Sequence, residues 1–204
     1  MEKPILFNTE MVQAILAGRK TQTRRIVKPK GRFYKENGFV VIDKINETSL
    51  LSYSSFQISD GIEERSILIE KPFKIGDVLW VREAWAEMPY GIVYRADGKK
   101  PEGWDSDDRW RPSIHMPREA ARIFLKVKDV RSEHLQQITD KDAEREGVSC
   151  FYPGTDMVVP ETMNFITVWD DTIKPSELDI YGWEADPIVW VIEFERLERY
   201  HAEK

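Results

Sequence analysis

Near the N-terminus the spacing of apolar residues changes from helical to strand-like. The apolar positions of the first stretch recur every three or four residues: Met11, Val12, Ile15 and Leu16. This spacing predicts a helix over residues 9–17, with Thr9 as its N-cap and Gly18 as its stop. Beyond Gly18 the period becomes two as far as Pro29, which predicts a turn followed by a strand.

Further along, apolar density or alternation predicts four more strands, over residues 77–82, 92–96, 122–130 and 188–197. Two helices are predicted as well. Thr139 and Asp142 form a short capping box for a helix that ends at Gly147. The second helix follows Pro160 and covers residues 161–173.

Two segments lack a clear period and are interpreted as insertions in a single domain of residues 1–204. One covers about residues 30–66, which are polar and irregular apart from a hairpin predicted over 32–42 by Asn37-Gly38. The other covers about residues 97–118, where a stretch rich in charge, Trp and Pro predicts a long ordered loop.

Many strands and few helices, without βαβ units, predict a mixed α+β chain that is mainly β. The expected architecture is a small β-barrel with flanking helices and an inserted hairpin and loop. Side chains fill the interior of a barrel of this size, so a ligand site is expected at its mouth or in a cleft covered by a helix.

Composition narrows the function. The chain of 204 residues carries a net charge of −6, which disfavours sequence-independent wrapping of nucleic acid. Local contact stays open, because six cations lie within twelve positions that hold no acid: Arg19, Lys20, Arg24, Arg25, Lys28 and Lys30. With one cysteine, three scattered histidines and no long apolar run, we expect a cytoplasmic protein without metal, cofactor or membrane partner.

Several segments resemble the ASCH family, whose fold is similar to the PUA barrel of RNA-modifying proteins. They are Ile-Leu-Ala-Gly-Arg-Lys-Thr-Gln-Thr-Arg-Arg at 15–25, Gly-Asp-Val-Leu-Trp-Val at 76–81, the helix at 138–147 and the strand at 191–194. The resemblance implies a PUA-like barrel. With Trp-Val-Arg-Glu-Ala-Trp at 80–85 and Ser-Ile-His-Met-Pro-Arg at 113–118, the chain is most similar to long members carried by phages and prophages.

One branch of that family removes the acetyl group of acetylcytidine with a lysine, a threonine three residues later and a distant glutamate. Lys20, Thr23 and Glu146 match these positions, and Arg25 matches an arginine of the same branch. The resemblance implies that Thr23 is the nucleophile, that a neutral Lys20 takes its proton and that Glu146 protonates the leaving amine.

A structural interpretation of the same residues stays open. In a regular strand Lys20 and Thr23 would face opposite sides, so they converge only if Lys20 lies in the turn. Otherwise Thr23 is an ordinary strand residue, Lys20 caps helix carbonyls, and Glu146 is exposed in the last turn of its helix.

Aromatic rings beside cations suggest a surface on which bases stack. The full set of candidate substrate-binding residues is Arg19, Arg24, Arg25, Trp80, Arg82, Glu83, Trp85, Trp110 and His115. For Trp80 we favour core packing, and Arg82 with Glu83 could be a simple charge pair. Trp110 lies in the polar loop and could belong to a lid.

Three functions remain. The favoured one is binding of single-stranded RNA or a modified nucleoside. The second is an amidohydrolase that removes an acyl group from a cytidine-like nucleoside. The third is a phage accessory or assembly protein that acts through contacts with a phage protein partner.

Overall fold

A five-stranded mixed sheet forms the centre of the fold in the computed structural model, which describes residues 1–28, 41–50, 53–59, 64–105, 108–151, 154 and 156–198. The elements in chain order are β1 (Glu2–Leu6), α1 (Thr9–Leu16), β2 (Gln22–Ile26), β3 (Val41–Leu50), β4 (Tyr53–Ser59), β5 (Glu64–Glu70), β6 (Val78–Arg82), β7 (Trp85–Met88), β8 (Gly91–Tyr94), β9 (Phe124–His134), α2 (Asp140–Arg145), α3 (Glu161–Asp171), α4 (Leu178–Tyr181) and β10 (Ile188–Arg196).

The strand order of the central sheet is β1-β6-β9-β10-β2. β1 runs parallel to β6, and every other pair in this sheet is antiparallel. A second, antiparallel sheet has the order β3-β4-β5, and β7 forms a hairpin with β8. β2, which carries the candidate residues Thr23, Arg24 and Arg25, is therefore an edge strand of the central sheet.

The predicted β-barrel is wrong. Among the described residues the chain is a mixed α/β structure with four α-helices, and its five-stranded sheet is open, with β1 and β2 at its two edges. Closing a barrel requires the two edge strands to pair, whereas the alternation of side chains defines only the two faces of each strand. The sequence analysis also missed β1, which occupies one edge.

Most of the other predicted elements are confirmed. The strands predicted over 77–82, 92–96, 122–130 and 188–197 correspond to β6, β8, β9 and β10, and the helices to α1, α2 and α3. Within the insertion predicted over about 30–66, the described residues form β3, β4 and the start of β5 and are therefore not irregular, while the Asn37-Gly38 turn falls outside the described residues. The described residues of the loop predicted over about 97–118 are largely irregular, apart from short 3-10 turns at Arg95–Asp97, Ser113–His115 and Arg118–Ala120.

Side-chain caps fix the ends of the two helices that border the site. Asn8, and not the predicted Thr9, caps α1, because its Oδ1 accepts a hydrogen bond from the backbone N of Met11 at 2.8 Å. α2 has the predicted capping box, in which Thr139 Oγ1 accepts from the backbone N of Asp142 and the Asp142 carboxylate accepts in return. Glu146 follows as the C-cap residue of α2.

β10 is buried on both faces, as a central strand covered by two layers should be. On one face Trp190, Ile192 and Phe194 belong to a core that includes α1 and residues of β6 and β9. On the other face Val189 and Val191 pack with Phe165 and Trp169 of α3. The helices α1 and α3 therefore cover opposite faces of the sheet, next to β2. Within the part of the chain that the structure describes, no helix combines the length and apolar character needed to cross a membrane.

Close contact between the end of α2 and the α1–β2 turn depends on a glycine. Gly147 has a φ of 85°, and a Cβ built on it would lie 2.7 Å from Ala14 Cβ and 3.0 Å from Lys20 Cβ. A side chain at this position would force the two segments apart.

We therefore expect Gly147→Ala to lower the free energy of unfolding by about 3 kcal/mol, because it combines backbone strain with overpacking. The matched control is Gly98→Ala, since Gly98 has a φ of 75° but open space around it; its loss should be about 1 kcal/mol. Urea unfolding of both variants measures the difference, and equal losses would contradict the packing argument.

Candidate functional site

Lys20 lies in the turn that precedes β2, which is the condition for it to approach Thr23. Its backbone N donates to the Ala14 carbonyl at 3.1 Å, in the turn that ends α1, and the next residue, Thr21, donates to the Arg145 carbonyl at 2.8 Å. These bonds join the turn to both α1 and the last residue of α2. They bring Lys20 beside Glu146, although 126 residues separate the two in sequence.

Glu146 is the acceptor for two buried cations. Lys20 Nζ lies 2.8 Å from Glu146 Oε2 and also donates to the Glu146 carbonyl at 2.7 Å. Arg24 Nη1 lies 3.0 Å from Glu146 Oε1, and Arg24 Nη2 pairs with Glu133 of β9. Glu146 is only 7% exposed, so the alternative that it is an exposed residue of the last helical turn is wrong.

Burial lowers the pKa of Lys20 below its ordinary value, while the ion pair with Glu146 raises it. The net direction is downward, because the lysine side chain is removed from water and two further cations, Arg25 and Arg24, lie near it. Lys20 is therefore easier to deprotonate than a surface lysine, which is the property required of a base.

Thr23 is held by Arg25 rather than by Lys20. Arg25 Nη1 donates to Thr23 Oγ1 at 2.8 Å, and Arg25 Nη2 donates to the Leu6 carbonyl at 2.9 Å. In the described part of the chain no hydrogen bond joins Lys20 to Thr23. The structure thus brings Thr23 and Glu146 to one cavity and joins Lys20 to Glu146, without completing the step from lysine to threonine.

A cavity of about 410 Å³ lies at this edge of the sheet, between β2, the start of α1 and α3. Its polar side carries Thr23, Arg24, Arg25 and Glu146, and Phe165 and Trp169 of α3 form an aromatic wall. Trp169 Nε1 donates to the Tyr181 carbonyl at 2.8 Å, which fixes its ring. A second cavity of about 450 Å³ also reaches Glu146 and includes Lys20, so Glu146 lines both cavities and Lys20 only the second.

The other predicted binding residues divide into two places. Arg19 is exposed beside the site, where its Nη1 donates to the Gly147 carbonyl at 3.0 Å. The remaining six lie on β6, on β7, between these two strands, or in the loop after β8. None of them lines either cavity among the residues that the structure describes: Trp80, Arg82, Glu83, Trp85, Trp110 and His115. They do not form one binding surface with the Lys20 cluster.

Two of our interpretations of these six residues are wrong, and the first is the core packing that we favoured for Trp80. Trp80 is half-buried on the face of β6 opposite the core residues Leu79 and Val81, and Arg82 lies 5.5 Å over its ring. Alternation along β6 explains this, because only every second side chain enters the core.

Glu83 does not pair with Arg82. Its carboxylate accepts two bonds from Arg122, at 2.9 and 3.0 Å, and burial raises its pKa while Arg122 opposes that shift. Arg82 instead donates to the carbonyls of Ile114 and Met116. It therefore holds the loop whose residue Ser113 contributes to the cavity.

The three remaining residues, Trp85, Trp110 and His115, lie in three different environments. Trp85 is 5% exposed and packs with Met116 and Ala120. Trp110 stacks on Trp104 with 4.5 Å between ring centroids, and His115 is exposed.

Sequence reasoning missed Glu133 and the aromatic wall. Glu133 is separated from Arg24 in the sheet by β10, and no local pattern indicates that neighbour. Phe165 and Trp169 lie in the helix predicted over residues 161–173, and their helical spacing is the signal that could have suggested a wall. Among the described residues no cluster of three or more His, Cys, Asp or Glu side chains could hold a metal ion.

Comparisons of the chain with protein-family models, with curated proteins and with solved structures found no match. The ASCH resemblance therefore rests on the motif residues alone.

The lowered pKa of Lys20 predicts a pH dependence of stability. Because the folded pKa lies below the ordinary value of 10.5, the unfolded chain binds more protons between the two values, and the free energy of unfolding should rise with pH in that window. Lys20→Met removes this contribution. Urea unfolding from about pH 8 to pH 10.5 should therefore show a smaller rise with pH in Lys20→Met than in the unsubstituted protein.

The matched control is Lys141→Met, since Lys141 is exposed on α2. This variant should keep the full rise. Identical pH profiles for Lys20→Met and the unsubstituted protein would contradict the assignment.

Proposed function

We propose that this protein binds a modified nucleoside in the 410 Å³ cavity beside β2. The observation that carries the proposal is the division of the cavity into a polar side, with Thr23, Arg24, Arg25 and Glu146, and an aromatic wall of Phe165 and Trp169. Small-molecule sites are commonly of this size and combine apolar walls with a few polar groups that fix orientation. A base has a flat face for the wall and polar edges for the charged side.

A single nucleoside fits these observations better than a long RNA strand. Affinity for RNA comes largely from cations that neutralise phosphates, but Arg24 is 2% exposed and already pairs with Glu133 and Glu146. The net charge of −6 adds repulsion. The ASCH resemblance supports a ligand of this class, and the single cysteine is in keeping with the reducing cytoplasm we propose as its compartment.

Blocking the cavity tests the proposal. Val168 of α3 lines both cavities and is 38% exposed, so Val168→Trp should fill the entrance without disturbing the core. Calorimetric titration with a panel of nucleosides that includes cytidine and acetylcytidine should show binding to the unsubstituted protein and at least tenfold weaker binding to Val168→Trp.

The matched control is Met163→Trp, because Met163 is exposed on the same helix and lines neither cavity. It should bind like the unsubstituted protein. Binding of single-stranded RNA together with no binding of any nucleoside would contradict the proposal.

Hydrolysis of an acylated nucleoside is a second candidate, favoured by the direct contact between Lys20 and Glu146. At 2.8 Å, a proton can pass from Lys20 Nζ to Glu146 Oε2 and leave a neutral amine beside a carboxylic acid. Burial lowers the pKa of Lys20 and so favours its neutral amine.

The proposed reaction then balances as follows. Thr23 Oγ1 attacks the acyl carbonyl and gives its proton to the Lys20 amine, while the protonated Glu146 supplies a proton to the departing amine. Water hydrolyses the acyl-threonine ester and releases a carboxylic acid. The resting contact of Thr23 with Arg25 must give way before Lys20 can act, so substrate binding has to rearrange these side chains.

Incubation with acetylcytidine tests this candidate. Release of cytidine and acetate should be detected by chromatography, and Lys20→Ala and Thr23→Val should abolish it because each removes a group that the reaction requires. Glu144→Gln is the control for Glu146→Gln, since Glu144 is exposed on the same helix, and only Glu146→Gln should lose activity. Deacetylation at an unchanged rate in Lys20→Ala would contradict the mechanism.

A further inference from the structure

The second cavity, of about 450 Å³, adjoins the proposed nucleoside cavity beside α3. Six residues line both cavities: Asn8, Met11, Glu146, Phe165, Val168 and Thr172. Glu146, which would protonate the departing amine in the proposed reaction, is one of them. A substituent on the exocyclic nitrogen of a cytidine-like nucleoside in the first cavity can therefore extend into the second.

The charged side chains that line the second cavity are mainly acidic. Among the described residues Lys20 is its only cation, and Lys20 is paired with Glu146 at 2.8 Å. Two further acids line it from different helices, Glu10 in the first turn of α1 and Asp171 at the end of α3. Both are exposed, and neither carboxylate has a hydrogen bond or an ion pair with another described residue. Arg19, which bonds to a backbone carbonyl next to Glu146, does not line the cavity.

Asn164 of α3 supplies an uncharged acceptor to the same cavity. It is only 5% exposed, and its Nδ2 donates to the carbonyls of Ser149 at 2.7 Å and Phe151 at 2.9 Å. These two bonds fix the orientation of the amide, and Oδ1 accepts no hydrogen bond from a described residue. Because Oδ1 is not among the side-chain atoms that are both buried and unpartnered, it keeps accessible surface, and Asn164 lines the second cavity.

We propose that the second cavity binds a protonated amine carried by a substituent on the exocyclic nitrogen of the nucleoside. An ammonium group has N–H donors for Asn164 Oδ1 and a positive charge for Glu10 and Asp171. Walls of low dielectric concentrate the field of such acids inside a cavity. This inference rests on the proposed nucleoside site and identifies the part of the ligand that lies beyond the base.

An anionic substituent would not suit the same cavity. A phosphate or carboxylate group would lie beside Glu10 and Asp171, while Lys20, the only cation in the described lining, is already paired with Glu146. Like charges at short range repel. The proposal therefore selects amine-bearing substituents over both acidic and purely apolar ones.

Calorimetry with matched pairs of ligands tests the inference on the full chain. Each pair consists of a cytidine with an aminoalkyl chain of two, three or four carbons on N4 and the N4-alkylcytidine in which a methyl group replaces the ammonium group. Neither ligand has an acyl bond, so hydrolysis does not interfere. In at least one pair the amine should bind roughly fivefold to thirtyfold more tightly than its alkyl partner. Added salt should reduce this ratio, because exposed charges are screened.

The double variant Glu10→Gln/Asp171→Asn keeps the shape of the lining but removes its two unpaired carboxylates. In this variant the ratio between the same two ligands should shrink to about twofold or less. The matched control is Glu144→Gln/Asp179→Asn, which makes the same change of charge at exposed residues that line neither cavity, and it should keep the full ratio. Circular dichroism and the unfolding midpoint establish that both variants are folded.

The outcomes distinguish this inference from the function on which it rests. If no member of any pair binds, the proposed function is wrong and the inference falls with it. If the two members of every pair bind equally well, the nucleoside site stands and the amine subsite is wrong; this result needs no variant. A preference that Glu10→Gln/Asp171→Asn retains in full would also overturn the subsite, because general attraction to a protein of net charge −6 would then explain it.

Discussion

The carboxylate of Glu146, shared between Lys20 and Arg24, is the interaction on which the candidate site depends. Two cations that are almost completely removed from water require an acid between them, and each carboxylate oxygen accepts from one of them. Glu146 is also the C-cap residue of α2, so the ion pairs join the end of that helix to β2. The position of α2, the turn that holds Lys20 and the polar side of the cavity therefore depend on one another.

The central sheet makes this arrangement possible because β10 is covered on both faces. α1 covers one face and α3 the other, and β2 lies at the sheet edge between them. An edge strand has one side free of backbone pairing, which leaves space for a cavity where the ends of the helices meet it. Phe165 and Trp169 contribute both to the core below and to the cavity wall, so packing and binding depend on the same side chains.

Local signals predicted the parts of the structure that local chemistry determines. The capping box of Thr139 and the apolar density of β6 and β10 depend on neighbours in sequence, and these elements are confirmed. Strand order depends on contacts between distant segments, which explains why the barrel was wrong and β1 was missed. The meeting of Lys20 with Glu146 was expected only from the ASCH resemblance, and nothing in the sequence indicated that Glu133 would share Arg24.

The same burial that makes the Lys20–Glu146 pair costly also makes it responsive to a ligand. Lys20 and Glu146 are almost completely buried, but Glu146 lines both cavities, and solvent in those cavities favours the charged form of a neighbouring group. A flat apolar group lying against Trp169 would exclude part of that solvent and so further favour the neutral form of Lys20. Under the proposed chemistry, binding of the substrate would therefore add to the effect of burial and increase the proton-accepting form of Lys20 beside the group to be attacked.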